Sequence, residues 1–125
     1  MQFMMKMVMD ADKAFAPSPE LMSAIERFTE DAHKAGRLVQ TGGMASSAKV
    51  TRIRAAGGKL AVIDGPFAES KEQVGGYAIV EVQSRAEALE LGRQFMEIHL
   101  RILGPSFVAE SEIQEMYPMP LSRPS

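Results

Sequence analysis

Asp64 and His99 are the two side chains of this sequence best suited to moving a proton. A histidine has an unperturbed pKa close to neutrality, and general acid–base catalysis works best near the operating pH. Asp64 ends an apolar strand just before a turn, which suits a catalytic carboxylate. Each residue also has a structural interpretation. His99 could be a hydrogen-bonded histidine of the core or of an interface, and Asp64 could form an Asx turn with the backbone two residues on.

Four further residues are candidates for binding a substrate: Arg52, Arg54, Phe67 and Lys71. The two arginines alternate with apolar residues, so one face of a predicted hairpin is basic. Such a face is usually solvated, and the alternative is that it borders a pocket for an anion. Phe67 is predicted to anchor its loop to the core. Lys71 lies in the charged loop that follows and is a candidate contact for a substrate anion.

The sequence patterns of several other chemistries are missing. It contains no glycine-rich phosphate loop, no G-x-S-x-G nucleophile motif and no H-E-x-x-H zinc motif. With two His and no Cys, a tight transition-metal site is not expected, and we predict neither a metal nor another cofactor. The second histidine, His33, stands near the end of a predicted helix, where we expect a solvated or capping role.

Composition indicates an ordinary globular domain. The 125 residues are 46% hydrophobic and 24% charged, which suits one domain with a single core. The 14 basic and 16 acidic side chains give a net charge of −2 and argue against a nucleic-acid binder with a broad basic face. No run approaches the roughly 20 apolar residues of a membrane span, and no signal peptide is recognisable. The expected location is the cytoplasm.

Hydrophobic periodicity and turn residues predict six strands and two helices. The strands are expected at residues 1–9, 38–41, 50–55, 60–64, 77–82 and 107–116. The first helix is expected at residues 19–35, with Ser18 as N-cap and Pro19 at the first helical position. The second follows Ser84, has Glu87 at the capping-box spacing and ends at Gly104. Its apolar stripe should contain Ala88, Gly92, Phe95, His99 and Ile102, with Leu89 and Met96 alongside.

This order of elements predicts a ferredoxin-like α+β sandwich. Without the inserted hairpin at residues 50–64, two β-α-β units remain, and both helices would cover one face of an antiparallel sheet. We assign residues 1–117 to this domain and residues 118–125 to a Pro-rich tail. The other face of the sheet would expose Met, Val and Ile side chains, and a second copy of the chain is the simplest cover. We therefore predict a homodimer.

The longest distinctive stretch, residues 63–77, reads I-D-G-P-F-A-E-S-K-E-Q-V-G-G-Y. It resembles the signature of the DGPF group within the YCII-related family. The turn Gly57-Gly58-Lys59, the Met-rich first strand and the F-M-E-I-H segment of the second helix are similar to the same family. The resemblance spans nearly the whole chain apart from the Pro-rich tail.

The resemblance implies a dimeric α+β barrel with a cleft on each subunit near the dimer interface. Some members carry a His near the start of the first helix that pairs with an Asp as an acid–base dyad. Residues 10–20 of this sequence contain no His, so that dyad is not carried over. The family is similar in fold to muconolactone isomerases and small monooxygenases, but a shared fold does not transfer a reaction. Members of the DGPF group also accompany sigma-factor-like regulators, which implies a regulatory alternative.

Three hypotheses about function follow. The chain could be an isomerase- or lyase-like enzyme in which Asp64 and His99 transfer protons while Arg52 or Arg54 holds an anion. It could bind a small molecule in the same pocket without chemistry, as a regulatory module. It could also be a structural or partner-binding homodimer with no ligand.

Overall fold

The computed structural model describes residues 1–13, 15–67 and 72–120. It contains two α-helices, α1 (Pro19–Lys34) and α2 (Arg85–Leu103). The strands are β1 (Gln2–Asp10), β2 (Leu38–Gly43), β3 (Thr51–Ala56), β4 (Lys59–Asp64), β5 (Glu72–Glu81) and β6 (Glu110–Met116). The predicted order of strands and helices is confirmed along the described residues.

Four of the strands form one antiparallel sheet in the order β2-β5-β1-β6. Each helix connects two strands that are separated in the sheet by a third, which is the split β-α-β arrangement of a ferredoxin-like fold. The predicted fold class is thus confirmed. Strands β3 and β4 pair only with each other, in a separate hairpin inserted between β2 and β5.

Both helices begin at the predicted serine caps. Ser18 Oγ accepts a hydrogen bond from the Leu21 N–H at 3.1 Å, and Ser84 Oγ accepts one from the Glu87 N–H at 3.2 Å. These bonds satisfy N–H groups that have no partner within the helix. The Glu87 carboxylate accepts from the N–H of Gln83, one residue before the cap. The local sequence therefore determines where both helices start.

Alternation along β1 builds the core between the sheet and the helices. Phe3 and Met5 point to the helix side, where they pack with Val80, Ala88 and Leu91. Leu91, rather than the predicted Leu89, completes the buried face of α2, because Leu89 remains 38% exposed. The side chains in between, such as Met4 and Lys6, face the opposite side and are half-buried.

β2 ends at Gly43 instead of residue 41, and the starts of two other strands differ from the predictions by more than one residue. β5 begins at Glu72 instead of residue 77, because its two glycines lie within the strand and not in the loop before it. β6 begins at Glu110 instead of residue 107, since the segment after α2 continues as a turn. None of these differences alters the order of the strands.

The two sides of the molecule differ in their exposed apolar surface. On the sheet face opposite the helices, Val8 is buried and Ile79 is half-buried, so this face is less exposed than predicted. The hairpin instead exposes Ile53, Leu60 and Val62 by 70%, 75% and 70%. These three side chains share one face, because Ile53 pairs with Val62 and Leu60 stands two residues from Val62. No helix in the described part of the chain is long and apolar enough to cross a membrane.

Candidate functional site

A cavity of about 460 Å³ lies between α1 and the sheet. We call it the α1 cavity. Its volume falls within the range of small-molecule sites. The walls are mainly apolar and come from β1, β2, β5, β6, α1 and α2 and from the segment before α1. They include Met5, Met7, Met9, Phe15, Leu21, Ile25, Phe28, Ala32 and Phe95. The apolar stripe of α1 therefore borders a cavity along much of its length, although Phe28 packs against the core. Only Leu21 of this helix is fully buried.

Glycines on two neighbouring strands leave room for this cavity. Gly42 and Gly43 of β2 and Gly75 and Gly76 of β5 all line it, and Gly43 pairs with Gly76. The pairing of β1 with β5 shifts register between Met7 and Val8, so β5 carries a bulge at Gly75. Gly76 also pairs with Met7, whose side chain faces the helices, so Gly43 and Gly76 leave bare sheet on the side of α1.

His99 is buried at the wall of the α1 cavity. It is 2% exposed, and it is the buried polar residue among the core side chains of the described chain. Three phenyl rings surround it: the ring centroid of Phe95 lies at 4.6 Å, that of Phe107 at 5.4 Å in a stacked arrangement, and that of Phe15 at 5.9 Å. Its predicted place on the inward face of α2 is what the structure shows.

One hydrogen bond determines which nitrogen of His99 carries the proton. Nδ1 lies 2.9 Å from the carbonyl oxygen of Phe95, and a carbonyl can only accept. Nδ1 is therefore the donor, and in the neutral ring Nε2 keeps a free lone pair. Burial lowers the pKa of His99, and the bond to the Phe95 carbonyl raises it by a smaller amount. The net shift favours the neutral ring.

The lone pair of Nε2 is available to the cavity. No polar side-chain atom in the described residues is both fully buried and without a hydrogen-bond partner. Since His99 bonds only through Nδ1 there, Nε2 must reach open space, and the space that His99 borders is the α1 cavity. Two other lining hydroxyls are already engaged: Thr29 donates to the Glu26 carbonyl and Thr41 to the Tyr77 carbonyl. His99 Nε2 thus offers a strong acceptor in a mainly apolar space.

Asp64 lies at the exposed end of the β3–β4 hairpin. Its carboxylate accepts a hydrogen bond of 2.7 Å from the Thr51 hydroxyl, directly across the hairpin. The expected Asx turn needs a backbone N–H two residues after Asp64, and Pro66 has none. The carboxylate closes the hairpin instead. The next residue, Gly65, donates its N–H to the Val50 carbonyl at 2.8 Å and extends this closure.

Two of the predicted binding residues contact each other. The guanidinium carbon of Arg52 lies 3.6 Å from the centroid of the Phe67 ring, a cation–π contact. Phe67 therefore packs against the hairpin arginine, and its anchoring of the loop to the core stays a prediction. Arg54 is exposed on the same face of the hairpin as Arg52. Lys71, the fourth predicted binding residue, lies outside the described residues.

The structure separates the predicted residues into two groups. His99 borders the α1 cavity, whereas Asp64, Arg52, Arg54 and Phe67 do not line it. Asp64 and His99 are therefore not brought together as an acid–base pair within one chain. The hairpin group forms an exposed surface of its own.

Sequence reasoning missed most of the residues around His99. Phe15 and Phe107 lie in segments outside the helices and strands, so periodicity gave no sign that their rings would meet one histidine. The predicted strand at residues 38–41 stops before Gly42 and Gly43, which belong to β2. A signal did exist, because glycine pairs in two strands that become neighbours indicate a bare patch of sheet.

No group of three or more His, Asp or Glu side chains in the described residues is arranged to hold a metal ion. The chemistry that the α1 cavity can support rests on one imidazole in a mainly apolar surrounding.

Fold and site together define a class: a ferredoxin-like α+β protein with a histidine-bearing apolar cavity beneath its first helix. Residues 1–98 match the family model of the YCII-related domain. The chain belongs to this family. The match ends one residue before His99, so the cavity histidine lies just beyond the matched segment.

A curated relative is similar over part of its length. It is an uncharacterised protein of Rhizobium meliloti (strain 1021), 39% identical over 75 residues. The aligned segment covers 58% of this chain and 56% of the relative. The chain thus spans little more than half the length of this relative.

Proposed function

We propose that this protein binds a small, mainly apolar molecule in the α1 cavity, with His99 as the acceptor of a hydrogen bond or proton from it. The observation that carries the proposal is the Nδ1 bond to the Phe95 carbonyl, which leaves the Nε2 lone pair for the cavity. A neutral imidazole inside a mainly apolar space of small-molecule size favours a ligand site over a purely structural role.

The same arrangement supports proton transfer on the bound molecule. A neutral Nε2 can take a proton from a ligand, and general base catalysis requires contact of this kind. Among the described residues no Asp or Glu lines the α1 cavity, so the imidazolium formed there has no carboxylate beside it. Such an imidazolium returns its proton readily, which favours an isomerase- or lyase-like step. In this proposal Asp64 and Arg52 have no role in the cavity, because both lie on the hairpin.

A thermal-shift screen of small apolar compounds tests the proposal. A compound that binds in the α1 cavity should raise the Tm of the natural protein and lose this effect in Ala32→Phe, which fills the cavity from α1. His99→Phe should weaken binding while the fold is kept, because Phe conserves the ring packing. The Phe95 carbonyl also keeps its helical partner, the backbone N–H of residue 99.

His33→Gln is the matched control, since His33 is the second histidine and lies exposed on α1. Compounds that stabilise the natural protein and Ala32→Phe equally would show that the cavity is not their site. Far-UV circular dichroism of each variant checks that the fold is retained.

A second candidate function is that of a non-catalytic regulatory or partner-binding homodimer. The observation in its favour is the apolar face of the hairpin formed by Ile53, Leu60 and Val62, each at least 70% exposed. Apolar side chains grouped on one exposed face favour burial against a partner. The homodimer and the ligand site are compatible with each other in one protein.

A further inference from the structure

We infer that the molecule bound in the α1 cavity is uncharged and carries one hydroxyl or N–H donor, which bonds His99 Nε2, on an otherwise apolar body. This inference rests on the proposed function, because it describes the ligand of the same cavity. It follows from three properties of the cavity wall: its charge, the polar atoms left free, and the way in which the His99 ring is enclosed.

The charge of the wall disfavours an anionic ligand. Lys6 is the charged residue among the described side chains that border the cavity. Its Nζ lies 3.8 Å from a Glu112 oxygen, and alternation along β1 places it on the sheet face opposite Met5 and Met7. With the His99 ring neutral, a carboxylate under α1 would therefore be desolvated without a cation, which is strongly unfavourable.

The acceptor left free in the wall requires a hydrogen-bond donor on the ligand. The hydroxyls of Thr29 and Thr41 are bonded to backbone carbonyls. The Tyr77 hydroxyl accepts a hydrogen bond from the Gln40 amide, and the Ser111 hydroxyl can itself donate as well as accept. His99 Nε2 is the lining atom that can only accept, because the Nδ1 proton is already used by Phe95. A ligand without a donor would leave Nε2 desolvated and unpaired, which has a cost in binding free energy.

The rings around His99 restrict the contact to the edge of the imidazole. Phe107 stacks on the ring with an interplanar angle of 25°, and Phe95 and Phe15 approach at 61° and 73°. Phe107 thus covers one face of the ring, and since Nδ1 is bonded to Phe95, Nε2 is the polar atom left for the cavity. A single directed hydrogen bond at Nε2 is the polar contact that the ring offers to the ligand.

Three naphthalene derivatives of one shape test this inference. 2-Naphthol carries a neutral donor at pH 7, 2-methoxynaphthalene has the same skeleton without the donor, and 2-naphthoate is an anion. We expect 2-naphthol to bind roughly tenfold more tightly than 2-methoxynaphthalene, as measured by fluorescence titration, because only the naphthol satisfies Nε2. 2-Naphthoate should bind more weakly than both.

Variants separate failure of the inference from failure of the proposed function. In His99→Phe the preference for 2-naphthol over 2-methoxynaphthalene should disappear while both still bind, and in His33→Gln it should persist. Equal binding of the two by the natural protein, abolished by Ala32→Phe, would overturn the inference and leave the ligand site standing. Tightest binding by 2-naphthoate would overturn it as well. If Ala32→Phe changed the binding of none of the three, the proposed site itself would be wrong.

Discussion

At the scale of single residues, the imidazole of His99 governs what this molecule can do. Its Nδ1 proton is committed to a carbonyl of its own helix, and its Nε2 borders the α1 cavity. An exposed histidine such as His33 can exchange partners with water, whereas His99 keeps one tautomer because its surroundings are fixed. A base with one assigned nitrogen is the form that proton transfer requires.

The burial of His99 predicts that acid weakens the fold. Burial lowers its pKa in the folded state below the unfolded value of about 6.5, so the unfolded chain binds a proton first as the pH falls. This contribution is fully present above about pH 6.5 and is lost as the pH falls below that value. We expect a lower Tm at about pH 5.5 than at about pH 7.5, and a smaller difference in His99→Phe.

The second histidine, His33, provides the control for this pH dependence. His33→Gln should keep the full difference in Tm, because this substitution leaves the buried His99 ring and its surroundings unchanged. Arg93 holds the pKa of Glu90 below its usual range, so that carboxylate titrates at lower pH than the window measured. A His99→Phe variant with the same difference in Tm as the natural protein would contradict the assignment to His99.

At the scale of elements, a backbone hydrogen bond closes the β3–β4 hairpin in addition to the side-chain hydrogen bond between Thr51 and Asp64. A Cβ at Gly65 would lie 2.8 Å from the Val50 carbonyl oxygen and 3.2 Å from the Phe67 ring. We expect Gly65→Ala to lower the free energy of unfolding by roughly 1–3 kcal/mol, because the backbone has to shift and the Gly65–Val50 hydrogen bond weakens. Chemical denaturation monitored by circular dichroism measures the change.

Gly43→Ala is the matched control for this prediction. A Cβ at Gly43 would meet only the Gly75 carbonyl oxygen, at 4.0 Å, and the backbone there has no positive φ. The substitution should be neutral, or stabilising by roughly 0.4–1 kcal/mol through the unfolded chain. If Gly65→Ala and Gly43→Ala lowered the free energy of unfolding equally, the close approach at Gly65 would not be the cause of the loss.

The elements themselves could be predicted because their signals are local. Ser18 and Ser84 each cap a helix through a bond to a residue three positions on, and alternation along β1 assigns its two faces. The order of these elements then leaves few arrangements besides the ferredoxin-like sheet. Membership of the YCII-related family was indicated by residues 63–77, and the match over residues 1–98 confirms it.

The candidate site could be predicted only in part. His99 was selected because it lies on the inward stripe of α2, which is a local property. Its neighbours Phe15 and Phe107 come from segments 84 and 8 positions away in the sequence, and no periodicity connects them. Pairing Asp64 with His99 within one chain was an assumption about tertiary distance. The sequence carries no measure of such a distance, and the structure places Asp64 on the hairpin.

At the scale of the whole molecule, the apolar face of the β3–β4 hairpin is where we expect a second copy of the chain to bind. Static light scattering at micromolar concentration should give the mass of a dimer for the natural protein. Val62→Glu should shift the equilibrium towards the monomer, because a charge would be buried in the apolar face shared by Ile53 and Leu60.

Ala61→Glu provides a close control for the dimer prediction. It adds the same charge one residue away, on the opposite face of β4, where Ala61 pairs with Arg54. We expect this variant to retain the mass of the natural protein. A natural protein that scatters as a monomer would remove the homodimer from consideration.

The three phenyl rings around His99 also make this residue a spectroscopic reporter. Aromatic ring currents displace the NMR signals of protons held nearby, so the carbon-bound protons of the His99 imidazole should resonate away from those of exposed His33. The sequence has two His, so the two sets of signals can be told apart by a single His33→Gln substitution. Protonation, occupation of the cavity and local opening around α2 would each move the His99 signals, and all three could be followed in the natural chain without an attached label.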